Sequence, residues 1–358
     1  RAGVRRCEHK LGGSVGEAIG TAAPRRTMSK EPSGSVEGTL ARGRRRLAEW
    51  AGDTTWSNVG LITVIVAMVV VFSLLNPNFY SEVNVRNVGR QTAMLGIVAC
   101  GQTMVILSGG FDLSVGMAMG LISVVGSMVM SEYGLWPGIF AGVAMGIAIG
   151  GLNGVMVAKA GLPPFIATLA TFSAARGFAL ILSGGLPITD LPAAFSFLGA
   201  GQVFTIPLPA FIAAIVFIGC ALLMKRTAFG RYVYAIGGNE EAALYAGVPV
   251  SRYKIAVWAL HGFLVGVAAV ILTSRAVSGH ATLGEGMELE SIAATVIGGT
   301  ALGRGRGGIF NTFLGVVAMG ILTNGLNLIN VSTYYQMVAI GVIIAGAVYV
   351  DQLRLRRG

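Results

Sequence analysis

A chain of 358 residues with 54% apolar and only 12% charged residues, at a mean hydropathy of +0.73, is too apolar for a soluble globular protein, in which about 25% of residues are charged. The net charge of +10 does not indicate nucleic acid, because the Lys and Arg residues stand at the ends of apolar runs, where they act as topology signals beside a lipid bilayer. Cys7, Cys100 and Cys220 have neither pairing nor metal-ligand spacing, so no disulfide and no metal site is expected.

Residues 1–51 read as a disordered, basic cytoplasmic tail. Residues 1–27 lack the apolar core of a secretory signal, and Met28 is an alternative start that would leave them outside the native chain. A spanning helix needs about 20 mainly apolar residues. On that ruler residues 52–358 form an all-α, polytopic membrane bundle of about ten spans, at 59–75, 92–108, 117–130, 136–158, 166–182, 207–224, 255–273, 289–302, 309–329 and 333–350. The third and eighth are the shortest. With both termini in the cytoplasm, fifteen Lys and Arg between Arg42 and Arg357 fall on the inner side, against Arg86, Arg90 and Arg275 outside. Losing one early crossing would invert everything after it and scatter these charges.

Asp112, between the second and third spans, suits a cap on the third helix, with a gating or ion-binding role as the alternative. In the fourth span Gly138, Gly142, Gly146, Gly150 and Gly154 recur every four residues, a bare stripe for close helix packing or, alternatively, for sliding during gating. Arg176 lies well inside the fifth span, and an Arg there must either reach the outer interface or face a cavity, not lipid. The longest inner loop, residues 225–254, holds Asn239, Glu240, Glu241, Ala242, Ala243, Gly247 and Val248. Acidic residues at its start, alanines after them and Gly247 before Pro249 predict a helix of two to three turns. It serves either as a connector or as a docking knob for a soluble partner. Residues 303–308 fit G-x-G-x-x-G by letter, but no strand precedes them, and no G-x-x-x-x-G-K-[ST] occurs anywhere. With His9, His261 and His280 dispersed, no catalytic grouping can be assembled, so the chain is not expected to be an enzyme.

Residues 101–116 (GQTMVILSGGFDLSVG) resemble the signature of the ribose-type (monosaccharide) permeases of bacterial ABC importers. The likeness continues in Asn153-Gly154, residues 164–169, Arg176-Gly177, residues 227–231, residues 238–243, Gly298-Gly299-Thr300 and residues 324–327. Arg304 and Arg306 depart from it, standing where the family more often has small residues. The resemblance implies a homodimer around one pathway in the inner membrane. A separate ATP-binding cassette ATPase would hold ATP and Mg, and a periplasmic or extracellular sugar-binding protein would deliver solute. It also implies that residues 239–248 dock on the ATPase, and that Asp112 and Ser114 lie near the pathway. Gln102, Thr103, Asn153, Ser173, Asn324 and Asn327 are polar groups within the spans that either line a route for a hydroxyl-rich solute or bond between helices. The competing class is a carrier driven by an ion gradient. Within the importer class, a branched-chain amino acid, nucleoside, inositol or signalling sugar is the alternative cargo.

Overall fold

Apolar runs punctuated by Pro, Gly and Asn set most helix boundaries. The computed structural model describes residues 58–301 and 303–356, so the tail expected over residues 1–51 and the alternative start at Met28 lie outside the described residues. Helix α1 (Asn58–Leu75) stops at Asn76-Pro77, where the Asn76 side chain accepts the Asn78 N–H and opens a short 3-10 turn. Ser81 then caps α2 (Glu82–Leu107) by accepting the Asn84 N–H. There follow α3 (Val115–Tyr133), α4 (Leu135–Ala158) and α5 (Pro164–Ser183), the last started by Pro163-Pro164. A short α6 (Ser196–Ala200) and a two-residue ribbon, β1 (Gln202–Val203) antiparallel to β2 (Ile206–Pro207), lead into α7 (Leu208–Arg226). The chain continues through α8 (Ala228–Gly238), α9 (Glu240–Tyr245), α10 (Val250–Ala276), α11 (Met287–Ile297), α12 (Ile309–Leu328) and α13 (Thr333–Arg356).

Among the described residues seven helices, α1, α3, α4, α5, α7, α10 and α12, are long and apolar enough to cross a bilayer. The 26-residue α2 is long enough too, but Glu82, Arg86 and Arg90 occupy its first three turns. From residue 93 to residue 107 every α2 side chain is buried, so Gln102 and Thr103 never meet lipid.

The eighth expected span, residues 289–302, is corrected by the structure. Its helix, α11, has 11 residues and spans only about 16 Å, half of a 30 Å hydrocarbon core. Gly298 ends it and Gly299 turns the chain with φ +88°. The residues before it descend along α3 in turns: Gly279 lies beside Ser123 and Ser127, Ala281 beside Gly120, and Gly284 beside Gly116 and Met119. Irregular backbone at such depth is tolerated where protein covers it.

Two ends of the bundle are defined by contacts. At one end the basic turn containing Arg304 and Arg306 packs on α8, where Gly305 meets Gly237 and Gly238, Tyr234 Oη donates to Gly307 O (3.1 Å), and Gly237 meets the last carbonyl of α2. At the other end Arg90 donates to Ala200 O (3.1 Å) and the Arg275 backbone lies against Gly199. Arg90 and Leu107 sit on one helix, about 26 Å apart along its axis. The cations of the 225–254 loop and of the 303–308 turn thus share an end that Arg90 and Arg275 do not.

Candidate functional site

Two regions hold the residues singled out from the sequence: the α8–α9 knob at the basic end, and a set of polar side chains within the bundle.

Asn239 caps α9, its side chain accepting the Ala242 N–H at 2.9 Å, and Glu240 pairs with Lys254 Nζ at 2.6 Å. The helix is 6 residues long, shorter than the two to three turns expected. Its stop is local: Gly247 takes φ +81°, its N–H reaches Leu244 O, and the Val248 N–H reaches Ala243 O, closing the last turn. Ala243 and Val248 point inward and form a small core with Ile236 and Val250. Glu241, Ala242 and Gly247 are exposed. Leu244 is 60% and Tyr245 88% exposed, two large apolar side chains offered to solvent beside an open groove of about 470 Å³ lined by Glu240, Glu241, Leu244, Val250 and Ser251. The sequence pattern alone does not single out Leu244 and Tyr245. A signal for them exists all the same, since a helix this short with Ala243 turned inward cannot also bury both of the next two residues.

Within the bundle, Ser114 donates to Asp112 Oδ1 through both its N–H (2.7 Å) and its hydroxyl (2.6 Å). Asp112 therefore holds the turn leading into α3 rather than reaching that helix's later N–H groups. Asn153 of α4 donates to Ser114 Oγ (3.0 Å), and Thr171 of α5 donates to Asn153 Oδ1 (2.6 Å). On the far side of Asp112, His261 Nε2 of α10 stands 3.4 Å from Oδ2. A buried polar chain thus runs α10, α2–α3 turn, α4, α5, and no motif or spacing in the sequence points to His261 as part of it.

The remaining polar candidates sort into two kinds. Thr103 bonds Thr312 at 2.6 Å and lies 3.4 Å from Thr295. Asn324 exchanges amide hydrogen bonds with Asn84 (2.8 and 3.0 Å), and Asn327 accepts from Gln336 at 2.7 Å. These tie helices together. Gln102 is fully buried without a hydrogen-bond partner for its amide. Ser173 and Arg176 are exposed, both on α5 on a face shared with Leu169 and Leu180, and Asn327 of α12 is exposed beside its Gln336 partner. In the glycine stripe Gly142, Gly146, Gly150 and Gly154 lie against α10, and Gly138 against α3.

The Asn84–Asn324 pair is testable by itself. Asn324→Leu takes the partner from the buried Asn84 Oδ1, leaving that amide only its bond to Phe79 O, and is expected to lower stability by about 1–2 kcal/mol, whereas Asn84→Leu with Asn324→Leu is expected to recover part of it. Thermal unfolding of the purified single and double variants measures the difference.

Helices of spanning length with polar groups bonded between them define the chain as a polytopic helical membrane protein. The chain belongs to the family described as branched-chain amino acid transport system / permease component, which matches residues 84–348. It is similar to the ribose import permease protein of Bacillus subtilis strain 168, with 43% identity over 303 residues, 84% of this chain and 94% of the relative. Similarity to the Escherichia coli K12 ribose import permease protein is 40% over 295 residues, covering 81% of this chain and 92% of that one. The L-arabinose transport system permease protein of the same strain is 35% identical over 329 residues, 92% of this chain and 97% of that one. No solved structure matches the chain. The protein is a multi-pass component of the bacterial cytoplasmic membrane.

Proposed function

We propose that this chain is the membrane permease subunit of an ABC importer for a monosaccharide, working as a homodimer with a separate ATPase on the side of α9 and a solute-binding protein on the other. The observation that carries the reading is the α9 knob. It presents Leu244 and Tyr245 at the basic end, and only Ala246 to Pro249 separate it from the first turn of α10. The ribose and arabinose import permeases to which the chain is similar point to a sugar.

In this reading the chain crosses ten times with both ends in the cytoplasm. α2 and α13 supply two crossings, and a third is shared between the irregular residues 277–286 and the short α11. ATP and Mg are bound by the partner, whose closure pushes two copies of α9 together and switches the bundle between two packings. The α5 face with Ser173 and Arg176 lines the pathway between the two copies. A guanidinium within a spanning helix is costly against lipid, and the face is uncovered in the single chain.

The test is reconstitution of the full chain with its ATPase and binding protein in proteoliposomes, followed by uptake of radiolabelled D-ribose and L-arabinose. Uptake is expected only with ATP and Mg inside the ATPase compartment. Uptake by the chain alone under a proton or sodium gradient would overturn the reading.

A further inference from the structure

Asp112 is 4% exposed and His261 fully buried. Asp112 Oδ1 is occupied by the two Ser114 donors, which leaves Oδ2 facing His261 Nε2 at 3.4 Å. Neither ring nitrogen of His261 has a hydrogen-bond partner, so its approach to Oδ2 is a charge contact and not a hydrogen bond, and no Lys or Arg among the described residues pairs with Asp112. The backbone seats the imidazole: it lies against Gly101 of α2, where a Cβ would stand 3.1 Å from the His261 Cα. One turn earlier on α10, Trp258 covers Gly110 of the same α2–α3 turn.

A carboxylate taken out of water without a compensating cation is expensive, and more so inside a bilayer. We propose that His261 is a positioning residue of the transport cycle: it is the counter-group that the buried Asp112 faces, and the pair pins α10 to the α2–α3 turn. The surrounding groups do not supply another counter-charge. Gly101 on α2 is bare, Asn153 on α4 and Thr171 on α5 reach Asp112 only through Ser114, and the acidic neighbour Glu288 of α11 lies against Gly116 in the first turn of α3.

The placement gives the pair its use. His261 lies about 16 Å along α10 from Val250, which directly follows the α9 knob. Motion of α9 carried by α10 arrives at His261, and the chain Asp112–Ser114–Asn153–Thr171 continues to α5, which bears Ser173 and Arg176. The transport part of this inference rests on the permease reading above; the pairing itself does not.

The experiment compares wild type, His261→Leu, and His261→Leu with Asp112→Asn, each as the full chain. Thermal unfolding in detergent and ATP-driven uptake of radiolabelled D-ribose by the reconstituted complex are measured at about pH 6 and about pH 8. With leucine at 261 the carboxyl can stay in the bundle only by taking up a proton. His261→Leu is therefore expected to lose at least about tenfold in uptake at the higher pH and to regain part of it at the lower. Its unfolding temperature should fall across the same interval. The double variant, with no charge to neutralise, is expected to regain unfolding temperature and to lose the pH dependence, while its uptake stays below wild type because nothing pins α10 to the α2–α3 turn. Equal behaviour of His261→Leu at the two pH values, or a double variant with no higher unfolding temperature than the single at the higher pH, would overturn the proposal. If His261→Leu does not accumulate, recovery of accumulation on adding Asp112→Asn supports the pairing and its absence sinks it. Wild type without ribose uptake would refute the ribose reading, while the unfolding series would still decide the pair.

Discussion

Leucine at position 150 is expected to abolish the folded permease, and leucine at position 151 to leave it intact. A Cβ on Gly150 would stand 2.8 Å from the Cα of Gly262, and one on Gly146 2.9 Å from the Cα of Gly266. The relation is reciprocal, since a Cβ on Gly262 would stand 2.9 Å from the Cα of Gly150. Here α4 and α10 touch backbone to backbone, so no side chain can rotate to make room. Ordinary overpacking costs about 1–3 kcal/mol, and a contact with backbone on both sides belongs at or above the upper end of that range. Gly150→Ala should already be destabilised, and Gly150→Leu should not yield a monodisperse protein in detergent. A Cβ on Gly151 would meet nothing within 4 Å, so Gly151→Leu is expected to change stability by no more than about 0.5 kcal/mol. Size-exclusion profiles and unfolding temperatures of the three variants check this. Equal tolerance at 150 and 151 would mean that the two helices are not locked through these glycines.

The stripe shows what a periodic pattern can disclose. Five glycines at intervals of four identify a bare helix face from the sequence alone, but not which helix lies on it; the facing Gly262 and Gly266 sit more than a hundred residues later. Helix positions are legible wherever apolar length decides them, as in α4 and α12. They are misread where polarity and burial conflict. The expected second span begins at residue 92 because Glu82, Arg86 and Arg90 read as loop, yet the helix starts at Glu82. The expected eighth span runs to residue 302 because hydropathy is indifferent to the positive φ that Gly299 adopts. Asn84 falls outside every expected span, so its amide exchange with Asn324 cannot be foreseen.

The polar candidates show a second limit. Residue type marks Gln102, Thr103, Asp112, Ser114, Asn153, Asn324 and Asn327 as unusual within membrane helices, but not whether each faces a neighbour or an open route. Five of them have polar partners inside the bundle, the exposed Asn327 bonds Gln336, and Gln102 is buried without a partner. Sequence separation hides His261 in the same way, because nothing in the spacing of three dispersed histidines brings one beside Asp112. Ser173 and Arg176 on α5, Asn327 on α12 and Leu244 and Tyr245 on α9 are left exposed in the single chain.

Tyr245→Asp combined with Leu244→Asp is expected to release the ATPase while leaving the permease folded. Both side chains are largely in water, so the fold gives up little when they change. A desolvated aromatic anchor at an interface is commonly worth about 2 kcal/mol or more, so the pair should weaken association by well over about tenfold. Ala243→Glu makes the contrasting case. Ala243 is 5% exposed, and a carboxylate there would break the small core it forms with Ile236, Val248 and Val250. Loss of the ATPase in that variant would therefore accompany a lower unfolding temperature of the permease itself. The two outcomes separate docking from local unfolding, which a charged replacement at Ala243 alone cannot do. Pull-down of the ATPase by tagged permease, with unfolding temperature measured on the same preparations, provides both readings. Full retention of the ATPase by the Leu244 and Tyr245 double variant would show that α9 only connects α8 to α10.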